Sequence, residues 1–175
     1  VGRDVSRVKQ ARQPVGGMLA LKNAIADKLV FSKIKNRFGG RLRYFVSGSA
    51  PLARDLAEFF HSADILILEG YGLTESSAFS FVNRADTYQF GTVGQVAPNS
   101  EVKIAADGEI LIKGRGIMRG YRNLPEATAE TVKDGWLYTG DIGELDAQGI
   151  LKITDRKKDL IKTSGGKYVA PQSIE

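Results

Sequence analysis

Apolar positions Leu19, Leu21, Ile25, Leu29, Val30 and Ile34 recur at mostly helical spacing, which predicts a helix within residues 18–37. Gly39-Gly40 ends the pattern. Arg43–Ser47 (RYFVS) then reads as a short strand, and Gly48-Ser49-Ala50-Pro51 as a turn that opens a second helix. Leu52, Leu56, Phe59 and Phe60 form one stripe of that helix. Ile65–Leu68 is apolar without alternation, as in a strand of a parallel sheet covered on both faces. Residues 43–68 therefore predict a strand–helix–strand unit.

The texture changes after about residue 88, where glycines and turn signals become frequent. Asp107-Gly108 between Glu101–Ala105 and Glu109–Lys113 predicts a hairpin. Leu124-Pro125 opens a short helix reaching about Val132, and Asp134-Gly135 turns into Trp136–Tyr138. Ile142–Leu145 and Ile150–Thr154 flank Asp146-Ala147-Gln148-Gly149 as a further hairpin. The expected fold class is α/β followed by an antiparallel β subdomain over residues 90–154. No internal repeat or low-complexity tract interrupts it.

Composition narrows the function classes. At 175 residues with 42% hydrophobic and 26% charged positions, the chain is globular rather than disordered. Cysteine is absent, which excludes disulfide scaffolds, cysteine nucleophiles and Cys-based zinc sites. A single histidine, His61, excludes a multi-His metal centre and argues against a His-dependent triad. The longest apolar run, Ile65–Leu68, is far too short to cross a bilayer, and the first residues do not resemble a signal peptide, so a cytoplasmic setting is the expectation. The net charge of +5 is uneven: residues 1–45 hold 11 basic and 2 acidic side chains, and Lys152–Lys167 holds six and two. Such clusters suit anionic partners or a membrane surface, although for residues 1–45 a solvated helix face is the simpler reading.

Four segments carry candidate chemistry. Glu69-Gly70-Tyr71-Gly72-Leu73-Thr74-Glu75 follows a buried strand, where open α/β sheets bind ligands. Tyr71 offers a flat face to a heterocycle, Thr74 a hydroxyl to a phosphate oxygen, and Glu75 a carboxylate to Mg2+; the segment also reads as a loop with a capping residue. Gly48-Ser49-Ala50-Pro51 ends the other strand and would form a second wall of one pocket, or simply cap a helix. Tyr138-Thr139-Gly140-Asp141 places a carboxylate in a tight turn suited to ribose hydroxyls, or is a plain turn. Asp155–Lys167 sets Arg156, Lys158 and Lys162 near a Ser164-Gly165-Gly166 loop that can present amides to an anion. A charged linker also fits. A single-strand nucleic-acid binder of the stacking kind is disfavoured, because no aromatic residue interleaves these cations.

Taken in order, GSAP, EGYGLTE, GEILIKGRGIMRGY, DGWLYTGD and DRKKDLIK resemble the adenylate-forming superfamily of acyl-CoA synthetases, luciferases and peptide-synthetase adenylation domains. The resemblance covers about residues 26–175. It is most similar to the long-chain fatty acid–CoA ligase branch through ADKLVFSKIKNRFGGRLRYFVSGSAPL and DRKKDLIKTSGGKYVAPQSIE. It implies a ligase that uses ATP and Mg2+ to make an acyl-adenylate from a fatty acid and then passes the acyl group to CoA. No nucleic-acid partner is implied, and peripheral membrane contact by residues 1–45 stays open. Gly48, Ser49 and Ala50 would line the adenine and acyl pocket. Glu69, Gly70 and Tyr71 would wall the adenine, Thr74 would contact the α-phosphate, and Glu75 would hold Mg2+. Asp141 would take the ribose hydroxyls, and Arg156 and Lys158 would approach ribose or phosphate. Lys162 would face the reacting centre, and Asp155 would be the hinge between a large and a small domain. Gly114–Tyr121 would be a structural piece. By the same resemblance, residues 1–89 belong to the α/β subdomain of the large domain, 90–154 to a β-barrel-like subdomain, and 155–175 to the hinge and the start of the small domain. The family's phosphate loop and adenylation lysine have no counterpart here, so the chain is expected to be an internal fragment, inactive by itself. Another acid (medium-chain, aryl or amino) and a basic anion- or membrane-binding module remain as alternatives.

Overall fold

The computed structural model describes residues 1–157, together with the backbone of 161–162 and 168–169. It divides into two compact units, Val1–Glu69 with Arg84–Gly91, and Gly70–Asn83 with Thr92–Glu175.

The first unit begins with a helix absent from the apolar pattern, α1 (Gly2–Gln10), which buries only Val5 and Ser6. Asp4 in its first turn and Arg7 and Lys9 in its last oppose the helix dipole favourably. The helix expected over 18–37 forms as α2 (Gly17–Ala26), a π-helical turn at Asp27–Phe31, and α3 (Ser32–Arg37). Most of its apolar stripe is not core: Leu21, Ile25, Leu29 and Val30 are exposed, while Leu19 and Ile34 are half-buried. Strand β1 is shorter than expected, Phe45–Ser47. The Gly48–Pro51 turn does not start the next helix directly, because α4 spans Arg54–Ser62. Strand β2 spans Ile67–Leu73, so EGYGL lies inside a strand rather than in a loop. Strand β1 pairs with β2 in parallel, with Phe45 opposite Ile67 and Ser47 opposite Glu69.

The core of this unit is Ala57, Leu68, Tyr88 and Phe90, with Leu52 and Leu66 packed against it. The returning segment 84–91 thus supplies two of its aromatic rings. Helix α1 packs on α4 closely enough that a Cβ at Gly2 would strike the Ser62 carbonyl oxygen. His61 joins three segments. Its Nδ1 lies 2.7 Å from Ser6 Oγ, and its Nε2 lies 3.0 Å from the Tyr88 hydroxyl. Ser6 Oγ also accepts from Gln10 Nε2 at 3.1 Å. The two ring contacts let a neutral imidazole donate from one nitrogen and accept on the other. Burial, with Lys9 and Arg12 nearby, pushes the His61 pKa down to about 4.

The second unit is an antiparallel sheet. From the end of β2 its order runs through β3 (Ala78–Val82), β4 (Gly94–Val96), β9 (Ile150–Arg156), β8 (Trp136–Leu145), β6 (Glu109–Gly114) and β5 (Ser100–Ile104). A short β7 (Val132–Lys133) pairs with β8 around Asp134-Gly135, whose positive φ values of 53° and 79° suit a two-residue hairpin turn. The hairpins at Asp107-Gly108 and Asp146–Gly149 form as the sequence predicts, and the short helix is α5 (Pro125–Thr131). Strands β3 and β4 were not legible in the pattern. Phe81, Ile110, Ile112 and Leu151 form the core of the sheet. Two glycines permit close strand approach. A Cβ at Gly72 would overlap the Ala78 carbonyl, and one at Gly94, where φ is 82°, would overlap that of Val82. Further along, β10 (Ile161–Lys162) pairs antiparallel with β11 (Tyr168–Val169). Among the described residues no helix is long and apolar enough to cross a membrane.

Candidate functional site

Tyr138–Asp141 is not a turn between two strands, as the sequence suggested, but the irregular middle of β8. Against β6, Tyr138 pairs with Leu111 and Ile142 with Glu109, so two extra residues of β8 are accommodated in between. The Thr139 hydroxyl donates to the Ile110 carbonyl at 2.8 Å and accepts from the Asp141 N–H at 3.1 Å. Gly140 takes a φ of 74°. The Tyr71 hydroxyl, from β2, donates to Asp141 Oδ2 at 2.6 Å. Arg156, opposite Asp141 on β9, places Nε 3.6 Å from Oδ1. Burial, followed by the adjacent Asp141 carboxylate, raises the Tyr71 pKa, so the phenol stays a donor. The result is a nearly buried carboxylate held on one oxygen by a phenol and faced on the other by an exposed guanidinium.

A second group lies at the turn after β2. Thr74–Ser76 forms one 3-10 turn with Thr74 exposed and Glu75 half-buried. Ser76 Oγ accepts from the Leu73 N–H at 3.1 Å and fixes the turn. Ser77 and Ala78 then have φ of 60° and 89°, a backbone strain of about 1–3 kcal/mol each of the kind that collects at functional sites. Three contacts bind this turn to residues 116–121. Ser77 Oγ donates to the Gly116 carbonyl at 2.7 Å, the Met118 N–H to the Glu75 carbonyl at 2.8 Å, and the Tyr121 hydroxyl to Glu75 Oε1 at 2.8 Å.

A third group backs the first. Glu109, almost fully buried, accepts from the Gly140 N–H on Oε1 at 2.9 Å and from Lys157 Nζ on Oε2 at 2.7 Å. Lys157 also bridges to Asp107 at 2.7 Å, and its N–H donates to the Gly140 carbonyl at 2.7 Å. These carboxylates push the Lys157 pKa up. Buried Asp155 has one oxygen, Oδ2, without a hydrogen-bond partner among the described residues; Oδ1 accepts from the Arg156 N–H at 2.6 Å.

In the first unit, Glu69 is buried, and burial raises its pKa. Its Oε1 accepts from the Leu52 N–H at 3.2 Å. Gly48, Ser49 and Ala50 leave β1 just beyond Ser47, the residue opposite Glu69, and Ser49 adopts a φ of 68°. Gly70 lies in β2 beside Phe79. Lys158 lies outside the described residues, and of Lys162 only the backbone, in β10, is described. The structure thus brings together Tyr71, Asp141 and Arg156, and separately fixes Thr74 and Glu75. Sequence reasoning passed over Glu109, Lys157 and Tyr121 as site residues. Each carried a signal: a charge within the apolar strand EILI, the unselected lysine of DRKK, and the aromatic end of GRGIMRGY.

Among the described residues no group of three or more His, Asp or Glu converges on one point, so they hold no all-protein Mg2+ cage. Glu75 supplies a single hard carboxylate on a strained, braced turn beside the exposed Thr74 hydroxyl. That suits an ion that arrives with phosphate and water oxygens of its own.

The model of the AMP-binding enzyme family matches residues 15–122, and the chain belongs to that family. It is 43% identical to a long-chain-fatty-acid–CoA ligase of Mycobacterium bovis, over 91% of this chain and 27% of that protein. It is likewise 43% identical to long chain acyl-CoA synthetase 4 of Arabidopsis thaliana, over 85% of this chain and 25% of that one. The chain therefore spans about a quarter of the length of these relatives. Among solved structures, ATP-bound MatB of Rhodopseudomonas palustris superposes with a TM-score of 0.71 at 35% identity, over 79% of this chain and 30% of that one. O-succinylbenzoate coenzyme A synthetase of Bacillus subtilis, in complex with ATP and magnesium ion, gives 0.68 at 31%, over 76% and 30%. The fold is accordingly the mixed α/β architecture of adenylate-forming enzymes, of which this chain matches about 30%.

Proposed function

We propose that the intact protein activates a long-chain fatty acid with ATP and transfers the acyl group to CoA. A carboxylate oxygen would attack the α-phosphorus and expel pyrophosphate. The CoA thiol would then lose its proton and attack the acyl carbon, and AMP would leave with the C–O bonding pair. The observation that carries the nucleotide part is the Tyr71–Asp141–Arg156 group. An oriented, nearly buried carboxylate can accept from both ribose hydroxyls while the exposed guanidinium remains free to swing to ribose or phosphate. The fatty-acid part is supported by the names of the relatives at 43% identity.

In this reading Tyr71 forms one wall for the adenine together with Glu69 and Gly70, and Gly48, Ser49 and Ala50 line the adenine and acyl pocket. Thr74 donates its hydroxyl to the α-phosphate. Glu75 holds Mg2+, which when bound neutralises phosphate charge. Lys158 approaches ribose or phosphate, and Lys162 faces the reacting acyl group. Residues 1–89 would belong to the α/β subdomain, 90–154 to the β subdomain, and 155–175 to the hinge and the start of the small domain. The test is ATP–pyrophosphate exchange by the intact protein across a series of acids. Exchange promoted by palmitate-length acids, and lost in Asp141→Ala, supports the reading. Exchange only with aryl or amino acids would move the substrate, and none with any acid would refute adenylation.

A further inference from the structure

Residues 114–121 wrap the Thr74–Ser77 turn through the three contacts described above, and one of them ends on the Glu75 carboxylate itself. The Tyr121 hydroxyl donates to Oε1 at 2.8 Å, which restrains the carboxylate and leaves Oε2 outside this bond. Tyr121 is in turn seated from α5. Its N–H donates to Thr128 Oγ1 at 2.9 Å, and that hydroxyl donates onward to the Leu124 carbonyl at 2.9 Å. Gly120, where φ is 149°, lies so close to the Thr128 side chain that a Cβ would clash at 2.6 Å. Pro125 at the first turn of α5 fixes the start of the helix that carries Thr128. Tyr121 is thus held at its backbone by α5 and at its hydroxyl by Glu75.

We infer that Tyr121, seated by Thr128, is a positioning residue that orients Glu75 for Mg2+ bound with ATP. The inference rests on the proposed metal role of Glu75. Groups that orient a metal ligand typically contribute ~10–100-fold to metal affinity when removed.

The test uses the intact protein saturated with a non-hydrolysable ATP analogue. Mn2+, as a spectroscopic stand-in for Mg2+, is titrated in, and bound metal is read by electron paramagnetic resonance. Tyr121→Phe removes only the hydroxyl and should weaken Mn2+ binding about 10-fold. Glu75→Gln should weaken it at least as much, and the double variant no further than Glu75→Gln. If Glu75→Gln weakens binding but Tyr121→Phe leaves it unchanged or tighter, this inference falls and the metal role of Glu75 stands. If Glu75→Gln has no effect, the metal role of Glu75 itself fails, and the inference with it. Should Tyr121→Phe not fold, by circular dichroism, the decision passes to Thr128. Thr128→Val should weaken Mn2+ binding, and Thr128→Ser, which keeps the hydroxyl, should restore it; equal affinities in the two would overturn the inference.

Discussion

The buried histidine makes the stability of the first unit pH-dependent in a window of its own. His61 is 7% exposed, and its pKa falls from the ordinary 6.5 to about 4. Above pH 6.5 the imidazole is neutral whether the chain is folded or not, and it contributes no slope. Between pH 6.5 and 4 the unfolded chain takes up a proton that the folded chain refuses, so stability falls as pH falls, by up to about 1.4 kcal/mol per unit. The whole shift corresponds to about 3 kcal/mol at most, a large share of a typical domain stability of ~5–15 kcal/mol. Other groups act elsewhere or with the opposite sign. Asp27 and Asp64 have lowered pKa values through their lysine partners, so their contribution is lost only as pH drops through those lowered values, below 3.8. Glu69 has a raised pKa, so its burial becomes less unfavourable on acidification. Urea unfolding followed by far-ultraviolet circular dichroism, at half-unit steps from pH 7 to 4.5, isolates His61 when wild type is compared with His61→Gln. The variant should be less stable at pH 7, and the gap should narrow by at least 1 kcal/mol towards pH 4.5, an order-of-magnitude expectation from the linkage slope (about 1.4 kcal/mol per unit). Parallel profiles would refute the assignment of a neutral, buried imidazole.

Three further outcomes are expected. Tyr71→Phe removes the donor to Asp141 Oδ2 and should destabilise the chain by about 1–3 kcal/mol, seen as a lower urea midpoint; a change under ~0.5 kcal/mol would mean that bond contributes nothing. Lys157→Met leaves the buried Glu109 carboxylate with the Gly140 amide alone and should lower stability by about 2 kcal/mol in thermal unfolding. That is less than the ~3–5 kcal/mol of a fully buried pair, because Lys157 is 45% exposed. Gly72→Ala drives a methyl into the Ala78 carbonyl and should lower the melting temperature by several degrees, consistent with an overpacking loss of about 1–3 kcal/mol.

The sequence disclosed what local chemistry dictates. Asp107-Gly108, Asp134-Gly135 and Leu124-Pro125 announced their turns and helix because positive φ and a fixed proline φ are demands of single residues. It did not disclose EGYGL as a strand. Its glycines and acid read as loop, and its partner β3 becomes evident only where Gly72 admits the Ala78 carbonyl. Helix α1 was hidden because it buries a serine against a histidine 55 residues away instead of an apolar stripe. The apolar stripe over 18–37 is the reverse case, a helix legible from its spacing although most of its stripe stays exposed. Of the candidate site, motif order singled out Tyr71, Thr74, Glu75, Asp141 and Arg156. The bond between Tyr71 and Asp141 spans 70 residues and the one between Tyr121 and Glu75 spans 46, and no spacing rule reaches that far.

Glu109 ties the irregular middle of β8 to the end of β9. Its two oxygens hold the Gly140 amide, one residue before Asp141, and the Lys157 ammonium, one residue after Arg156. Substitutions at 109, 140 and 157 therefore act on one shared group, and their effects will not sum. A change tolerated at one of these positions in a relative need not be tolerated here unless its companion changes too, so variation across this strand pair is best read in pairs.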